Sequence, residues 1–210
     1  MHQRPSIVAQ TLRAGFLVLL SACLVPIHAD ARPVSRVVID PGHGGKDKGT
    51  HRGSVYEKNL ALQVGLKVEA LLKAKGMPVT MTRRTDTFLS LEKRAAIANR
   101  YKDAVFVSIH FNGHSNYRYH GVETYYYGAQ GQKLAAHIHL RLLSRLKIKN
   151  RDTRQRKDLA VLRLTRCPAV LVECAYLSNP YERKRAQKGS YQDACAQAIV
   201  DGIFAYKTYR

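Results

Sequence analysis

Val37-Val38-Ile39-Asp40-Pro41-Gly42-His43-Gly44-Gly45-Lys46-Asp47 carries an apolar stretch straight into a turn that presents one histidine. Three consecutive β-branched residues suit a buried strand, and the Pro and Gly residues that follow end it while permitting positive φ and close backbone approach to a bound group. The spacing therefore predicts His43 at the carboxyl end of a strand, where open α/β sheets place their ligands.

Downstream, Leu60, Val64, Val68, Leu71 and Leu72 share one helical face. Lys73 and Lys75 suit the negative end of that helix, Gly76 its cap and Pro78 its exit. Glu57 falls at the helix's first turn. Val79 to Met81 reads as a short strand, and a second helix begins near Ser90 with Glu92 at its positive end. Ala104 to Ile109 is the longest buried-strand candidate and hands directly to His110, repeating the geometry of His43. Val122 to Tyr127 reads as a strand and Lys133 to Leu146 as a helix with Leu134, Ile138 and Leu142 inward. Arg145 to Lys157 is a dense basic run that reads as a long solvated loop, with a substrate-facing basic rim as the alternative. Leu159 to Leu164 and Ala169 to Val172 read as strands, the second ending at Glu173. Pro180 opens a short helical turn, and a closing helix spans about Tyr191 to Tyr206. Strands alternating with helices at this spacing predict a single α/β domain with a largely parallel sheet.

The N-terminus stands apart. Arg4 and Arg13 precede an apolar run from Ala14 to Ile27, broken by Pro26 and short for a membrane span, and Ala29-Asp30-Ala31 follows as a small-x-small cleavage pattern. Residues 1–31 thus read as a signal peptide and 32–210 as the mature domain, exported to the periplasm or cell envelope. Leu20-Ser21-Ala22-Cys23 also resembles a lipobox, in which Cys23 becomes a lipid anchor. Cleavage after Ala31 is favoured because the apolar run continues past Cys23. The formal net charge of +20 lies almost wholly in the mature domain, since the leader carries only Arg4, Arg13 and Asp30. In an exported protein such a surface attracts anionic wall, envelope glycans or lipid headgroups, with a solvated basic surface that only aids solubility as the alternative. Cys23, Cys167, Cys174 and Cys195 show no CxxC or metal-ligand spacing, so no disulfide framework is implied and buried apolar packing is expected.

Three strands lead to a polar group: Ile39 to the His43 loop, Ile109 to His110 and Val172 to Glu173. Parallel strands bring those ends to one side of the sheet, and Glu57 opens a helix that leaves the same side. Two imidazoles and two carboxylates then converge, the composition of a catalytic zinc site in which three protein ligands leave a position for water. Each residue alone has a plainer reading, a loop histidine or a helix-dipole glutamate. Glu173 is the hardest to explain that way, because an unpaired carboxylate in a sheet core is costly.

Taken together, Ile39 to Gly45, Glu57-Lys58-Asn59, Thr82 to Asp86, Arg94 with Ala98-Asn99, Ser108 to Asn112, Gly121 to Thr124, Val161-Leu162-Arg163, Val172-Glu173 and Leu177 to Pro180 resemble the zinc-dependent N-acetylmuramoyl-L-alanine amidases of bacterial cell-wall turnover. The resemblance covers about Arg36 to Tyr206. It implies a twisted sheet flanked by helices on both faces, zinc ligated by His43, Glu57 and His110, and Glu173 as the catalytic carboxylate. Lys48 and Phe111 depart from the family pattern, where proline and a small residue are usual, and both are expected to alter how the cleft receives substrate. The interval from Gly113 to Gly131 is too short for the inserted helix that blocks zinc in some members, and no wall-targeting domain is visible.

The activity so implied is hydrolysis of the amide between N-acetylmuramic acid and L-alanine in peptidoglycan. The expected partners are peptidoglycan and an envelope activator protein, with no nucleic acid, and nothing demands more than a monomer. A zinc peptidase cutting within the stem peptide shares the chemistry, and a zinc-bearing wall-binding module without turnover is the alternative from another class. Retention of Glu173 argues against the binder.

Overall fold

β1 (Arg36–Pro41) leads through the histidine loop and a short hairpin, β2 (His51–Arg52) with β3 (Val55–Tyr56), into α1 (Glu57–Ala74). The structure, a computed structural model, describes residues 33–208. The leader at 1–31, with its cleavage and lipobox patterns, lies outside the described residues. α1 ends as the sequence predicts. Gly76 takes φ 70°, its N–H donates to the Lys73 carbonyl, and the Met77 N–H donates to that of Leu72, which together satisfy two carbonyls of the last turn.

The chain continues through β4 (Val79–Met81), α2 (Leu91–Ala98), β5 (Ala104–Asn112), β6 (Val122–Tyr127), α3 (Gly128–Leu146), β7 (Asn150–Gln155), α4 (Ala160–Arg163), β8 (Ala169–Tyr176), α5 (Pro180–Ala186) and α6 (Gly189–Thr208). Six strands form one sheet in the order β4-β1-β5-β8-β6-β7. The pairings are parallel except β6 with β8, which is antiparallel. The expected α/β domain with a mostly parallel sheet is therefore the observed one.

Strand periodicity divides the sheet into two faces. Val37, Ile39, Val105, Val107, Val170 and Val172 pack beneath α1, α3 and α6 through residues such as Val64, Ile138 and Ile199. Val38, Phe106, Tyr125 and Leu171 form the other face with Ala98 of α2 and Val161 and Leu162 of α4. The first layer of helices runs 18 to 20 residues each, whereas α2 has 8 and α4 only 4. The second face is therefore covered only partway along its strands. Its carboxyl-terminal end is left for polar side chains.

Two segments differ in type from the sequence-based expectation, and others in extent. Leu159 to Leu164 contains the helix α4 rather than a strand, since four apolar residues are too few for periodicity to separate the two. The basic run contains the edge strand β7 rather than only a loop. An edge strand has one unpaired side and no full burial, so it carries charge without the apolar alternation of an inner strand. β5 and β8 also run further than expected, to Asn112 and Tyr176, so His110 and Glu173 lie within strands rather than after them. α3 starts at Gly128, five residues before the expected Lys133. Among the described residues, Cys167, Cys174 and Cys195 are buried free thiols, and no helix is long and apolar enough to cross a membrane.

Candidate metal centre and catalytic cleft

The pairing register assembles the site. Asp40 of β1 lies opposite Ser108 of β5, His110 of β5 opposite Glu173 of β8, and Glu123 of β6 opposite Glu173 from the other side. All share the alternation of Val38, Phe106 and Leu171, so they project on the face that α2 and α4 leave partly open. The loop after β1 brings His43 over the same end, and α1 brings Glu57.

His43, Glu57 and His110 form a cluster whose ligating atoms lie within 4.8 Å of one another. Glu57 Oε1 is 3.0 Å from His43 Nε2 and 2.9 Å from His110 Nδ1. The glutamate is 3% exposed and fixed by backbone, accepting the Phe111 N–H at Oε1 (3.0 Å) and the Thr50 N–H at Oε2 (2.7 Å). Burial opposes its ionisation, but the hydrogen bonds to His110 and His43 outweigh that and hold the carboxyl well below the usual carboxylate range. Burial likewise opposes charge on His43, and the Glu57 and Asp47 carboxylates overcome it and raise the imidazole above its ordinary value.

The outer partners decide which ring nitrogens face inward. Asp47 Oδ2 takes the Nδ1 side of His43 at 2.8 Å, leaving Nε2 toward Glu57. Ser108 Oγ donates to Asp40 Oδ2 at 2.7 Å, so its lone pair faces His110 Nε2 at 3.1 Å. That network turns Nδ1 of His110 toward Glu57, where without a metal it shares a proton with the carboxylate, as His43 Nε2 does. On giving up those protons the two inner nitrogens would offer imidazole lone pairs beside one carboxylate oxygen, each imidazole anchored at its other nitrogen. This is the donor arrangement that metal-binding histidines show, and two histidines with one glutamate is a known ligand set of catalytic zinc sites. The residues fit a zinc ion.

Two buried arginines hold the histidine loop in place. Arg94 Nη1 donates to Asp40 Oδ1 (2.7 Å) and the Pro41 carbonyl (2.8 Å), and its Nη2 to the His43 carbonyl (2.5 Å). Arg83 donates to the carbonyls of Pro41, Gly42 and Lys58. These bonds support His43 at φ 60°, a left-handed conformation uncommon outside glycine. Glycine is required nearby for another reason. A Cβ on Gly42 would lie 2.3 Å from His110 Cε1.

Glu173 has the opposite character to Glu57. Its Oε2 is buried with no hydrogen-bond partner. Burial first, and then the charge of Glu57, push its carboxyl well above the usual range. Beside it opens a cleft of about 360 Å³ that includes His43 and His110, with Phe88, Leu91, Leu159 and Leu171 along its walls. A larger cleft of about 640 Å³ between α3, α5 and α6 contains none of the site residues.

The structure therefore brings together all four residues singled out in the sequence. Asp40, Ser108, Arg83, Arg94 and Glu123 stood in the quoted motifs without a role, and Asp47 in the opening stretch likewise. Asp40 and Ser108 had a readable signal, a polar residue inside an apolar strand, two positions before Gly42 and His110 respectively. Phe111 corrects an expectation. It is fully buried in the core on the α1 face and does not line the cleft. Lys48 places its ammonium 5.4 Å over the Tyr56 ring.

Known proteins are similar to this chain in sequence and in fold. The chain is 31% identical over 188 residues to a germination-specific N-acetylmuramoyl-L-alanine amidase of Bacillus subtilis, covering 82% of this chain and 79% of that protein. The catalytic domain of CwlV, an N-acetylmuramoyl-L-alanine amidase from Bacillus (Paenibacillus) polymyxa, superposes with a TM-score of 0.80 at 38% identity, covering 84% of this chain and 99% of that one. The CwlD amidase of Clostridioides difficile, solved in complex with the GerS lipoprotein, gives a TM-score of 0.80 at 31% identity over 84% of this chain and 100% of that one. The model of the N-acetylmuramoyl-L-alanine amidase family matches residues 37–205, and the chain belongs to that family of amide hydrolases.

Proposed function

We propose that the protein cleaves the amide between the lactyl group of N-acetylmuramic acid and L-alanine of the peptidoglycan stem, with zinc held by His43, Glu57 and His110 and Glu173 as proton carrier. The observation that carries the division of roles is the contrast between the two glutamates. Glu57 is ionised and bonded on both oxygens. Glu173 keeps a buried oxygen without a partner, one strand from the cluster.

Zinc bound there supplies a Lewis acid that polarises the amide carbonyl and makes water more acidic. Asp47 and Ser108 orient the two imidazoles, and the Arg83 and Arg94 clamps hold the loop that carries His43. Glu173, whose carboxyl burial pushes above the usual range, takes a proton from the attacking water and delivers it to the departing amine of L-alanine. The apolar wall at Phe88, Leu91 and Leu159 limits water at that step.

Residues 1–31 form the export leader in this reading, which puts the enzyme in the envelope beside its polymeric substrate. An envelope activator protein is a further partner, supported by the similarity to CwlD, itself solved with a lipoprotein. The test is metal content of the purified protein together with mass analysis of products from purified wall. Bound zinc and intact stem peptides released from the glycan are expected. Shortened stems would make it a peptidase, and an unchanged wall would sink the hydrolytic reading.

A further inference from the structure

β7 carries Arg151 and Arg154 on the cleft face, and a bulge makes this possible. Val122 pairs with Asn150 but Thr124 pairs with Thr153, so β7 has one residue more than β6 over that interval, and Asp152 within it takes φ 70°. An inserted residue changes which side chains point to a face. Arg151 Nε and Arg154 Nη1 both approach Glu123 Oε1, each at 3.5 Å.

Glu123 does not need both. Its Oε2 accepts from Tyr125 Oη (2.6 Å), Tyr176 Oη (2.7 Å) and Asn112 Nδ2 (2.9 Å), and one guanidinium balances its charge. Arg151 is placed for that task. Its side chain is 16% exposed and lies over the Tyr119 ring at 4.3 Å. Its Nε is nonetheless buried without a formed hydrogen bond. Arg154 is 55% exposed, and its 3.5 Å approach to Glu123 is longer than the roughly 2.7–3.2 Å of a formed N–H to O bond. Arg156, the next arginine along, is already paired, with two bonds to Asp158 of 2.8 and 2.6 Å. The cluster thus has one positive charge in surplus, and Arg154 holds it at the surface.

The two sides of Glu173 differ in chemistry. Toward α2 and α4 lies the cleft with its apolar wall of Phe88, Leu91 and Leu159, and toward β6 and β7 the same sheet face carries Glu123 with the Arg151 and Arg154 guanidinium groups over it. Strands lie about 4.8 Å apart, and the Arg151 and Arg154 guanidinium groups reach back to Glu123 on β6, one strand from Glu173, a span that two extended residues of roughly 7 Å cover. A muramoyl stem has a neutral sugar on one side of the scissile amide. On the other side it has a peptide whose second residue, a glutamate linked onward through its side chain, exposes an α-carboxylate.

We propose that Arg154, with Arg151 behind it, is a subsite for that stem carboxylate, so that the peptide crosses β6 toward β7 while the sugar lies along the Phe88 and Leu159 wall. The proposal rests on the amidase reading. It makes Arg154 a specificity residue that binds the stem and takes no part in proton transfer.

The experiment compares two soluble substrates, N-acetylmuramoyl-L-Ala-D-Glu and N-acetylmuramoyl-L-Ala-D-isoglutamine, which differ only in that carboxylate, on the zinc-loaded wild type, Arg154→Gln and Arg154→Lys. Wild type is expected to show a KM about tenfold lower for the carboxylate, the scale of one charge-assisted hydrogen bond. Arg154→Gln should bring the KM ratio of the two substrates near one, and Arg154→Lys should restore part of it. NMR titration with the dipeptides L-Ala-D-Glu and L-Ala-D-isoglutamine gives a second readout, with binding of the acidic peptide weakened by Arg154→Gln. Cleavage of both substrates with no preference, or a loss in Arg154→Gln that is equal for both, overturns the subsite and leaves the amidase standing. Arg154-dependent binding of the acidic dipeptide without cleavage of either substrate supports the subsite and overturns the amidase.

Discussion

His110 and Glu173 occupy registered positions on adjacent parallel strands, yet the histidine has a partner on each ring nitrogen while Glu173 Oε2 has none. Neighbours in the sheet are thus prepared for different tasks. Glu57→Gln replaces an anionic donor with a neutral one and should lower zinc occupancy, with turnover falling in proportion. Glu173→Gln should keep zinc while losing about 10² to 10⁴ in rate, the usual worth of a general acid–base group. Bound-metal analysis beside turnover on wall fragments tests both. Loss of metal in Glu173→Gln, or wild-type turnover with metal retained, would show the roles to be assigned wrongly.

Ser108 supports the site from below. It passes the Asp40 carboxylate's influence to His110 through bonds of 2.7 and 3.1 Å, and without it the imidazole loses the contact that fixes its tautomer. Ser108→Ala should weaken zinc about 10- to 100-fold, as removing such outer partners generally does. Competition against a chromogenic chelator measures this, and an unchanged affinity would mean that Glu57 alone orients His110.

Away from the site, Glu69 offers a pH prediction. Its carboxylate lies 2.6 Å from Arg84 Nη2 and 2.7 Å from Lys73 Nζ. Burial opposes its charge, but the hydrogen bonds to Arg84 and Lys73 prevail and lower its pKa. A carboxyl depressed in the folded state adds stability above its unfolded value of about 4.3 and loses it as pH falls through the folded value. Both cations are more than half exposed, so Glu69→Gln should cost only about 0.5–1 kcal/mol at neutral pH. Urea unfolding of both proteins should show that gap near neutrality and its disappearance by about pH 3. A gap of equal size at both pH values would trace the loss to packing instead.

What the sequence reveals here depends on how local its signals are. The α1 terminus at Gly76 and the apolar strand segments up to Ile39 and Ile109 are readable because a few neighbouring residues determine them, although β1 and β5 run on to Pro41 and Asn112. His43, Glu57, His110 and Glu173 follow from those segments plus the parallel arrangement. Asp40 and Ser108 require one further step, since their pairing depends on which residues of β1 and β5 lie opposite. β7 is hidden for a physical reason. Arg151 and Arg154, three residues apart, both turn to Glu123, and the bulge at Asp152 breaks the period of two that would have marked a strand. α4 is hidden by its brevity.

Gly42 gives the sharpest structural test of the histidine cluster. Its backbone conformation is open to other residues, so the demand for glycine comes from space alone. A Cβ there would lie 2.3 Å from His110 Cε1 and 2.4 Å from Nε2, and the ring is held on its far side by Glu57 at 2.9 Å. Gly42→Ala must therefore displace the imidazole or the loop. Overpacking of this kind costs about 1–3 kcal/mol, which urea unfolding of the metal-free protein should report. Chelator competition should show zinc binding lost to a greater extent than stability, because a ligand turned out of place no longer meets Glu57 and His43. A Gly42→Ala protein that binds zinc like wild type would mean that the loop yields and His110 does not, and that the Arg83 and Arg94 clamps hold the loop less firmly than their hydrogen bonds imply.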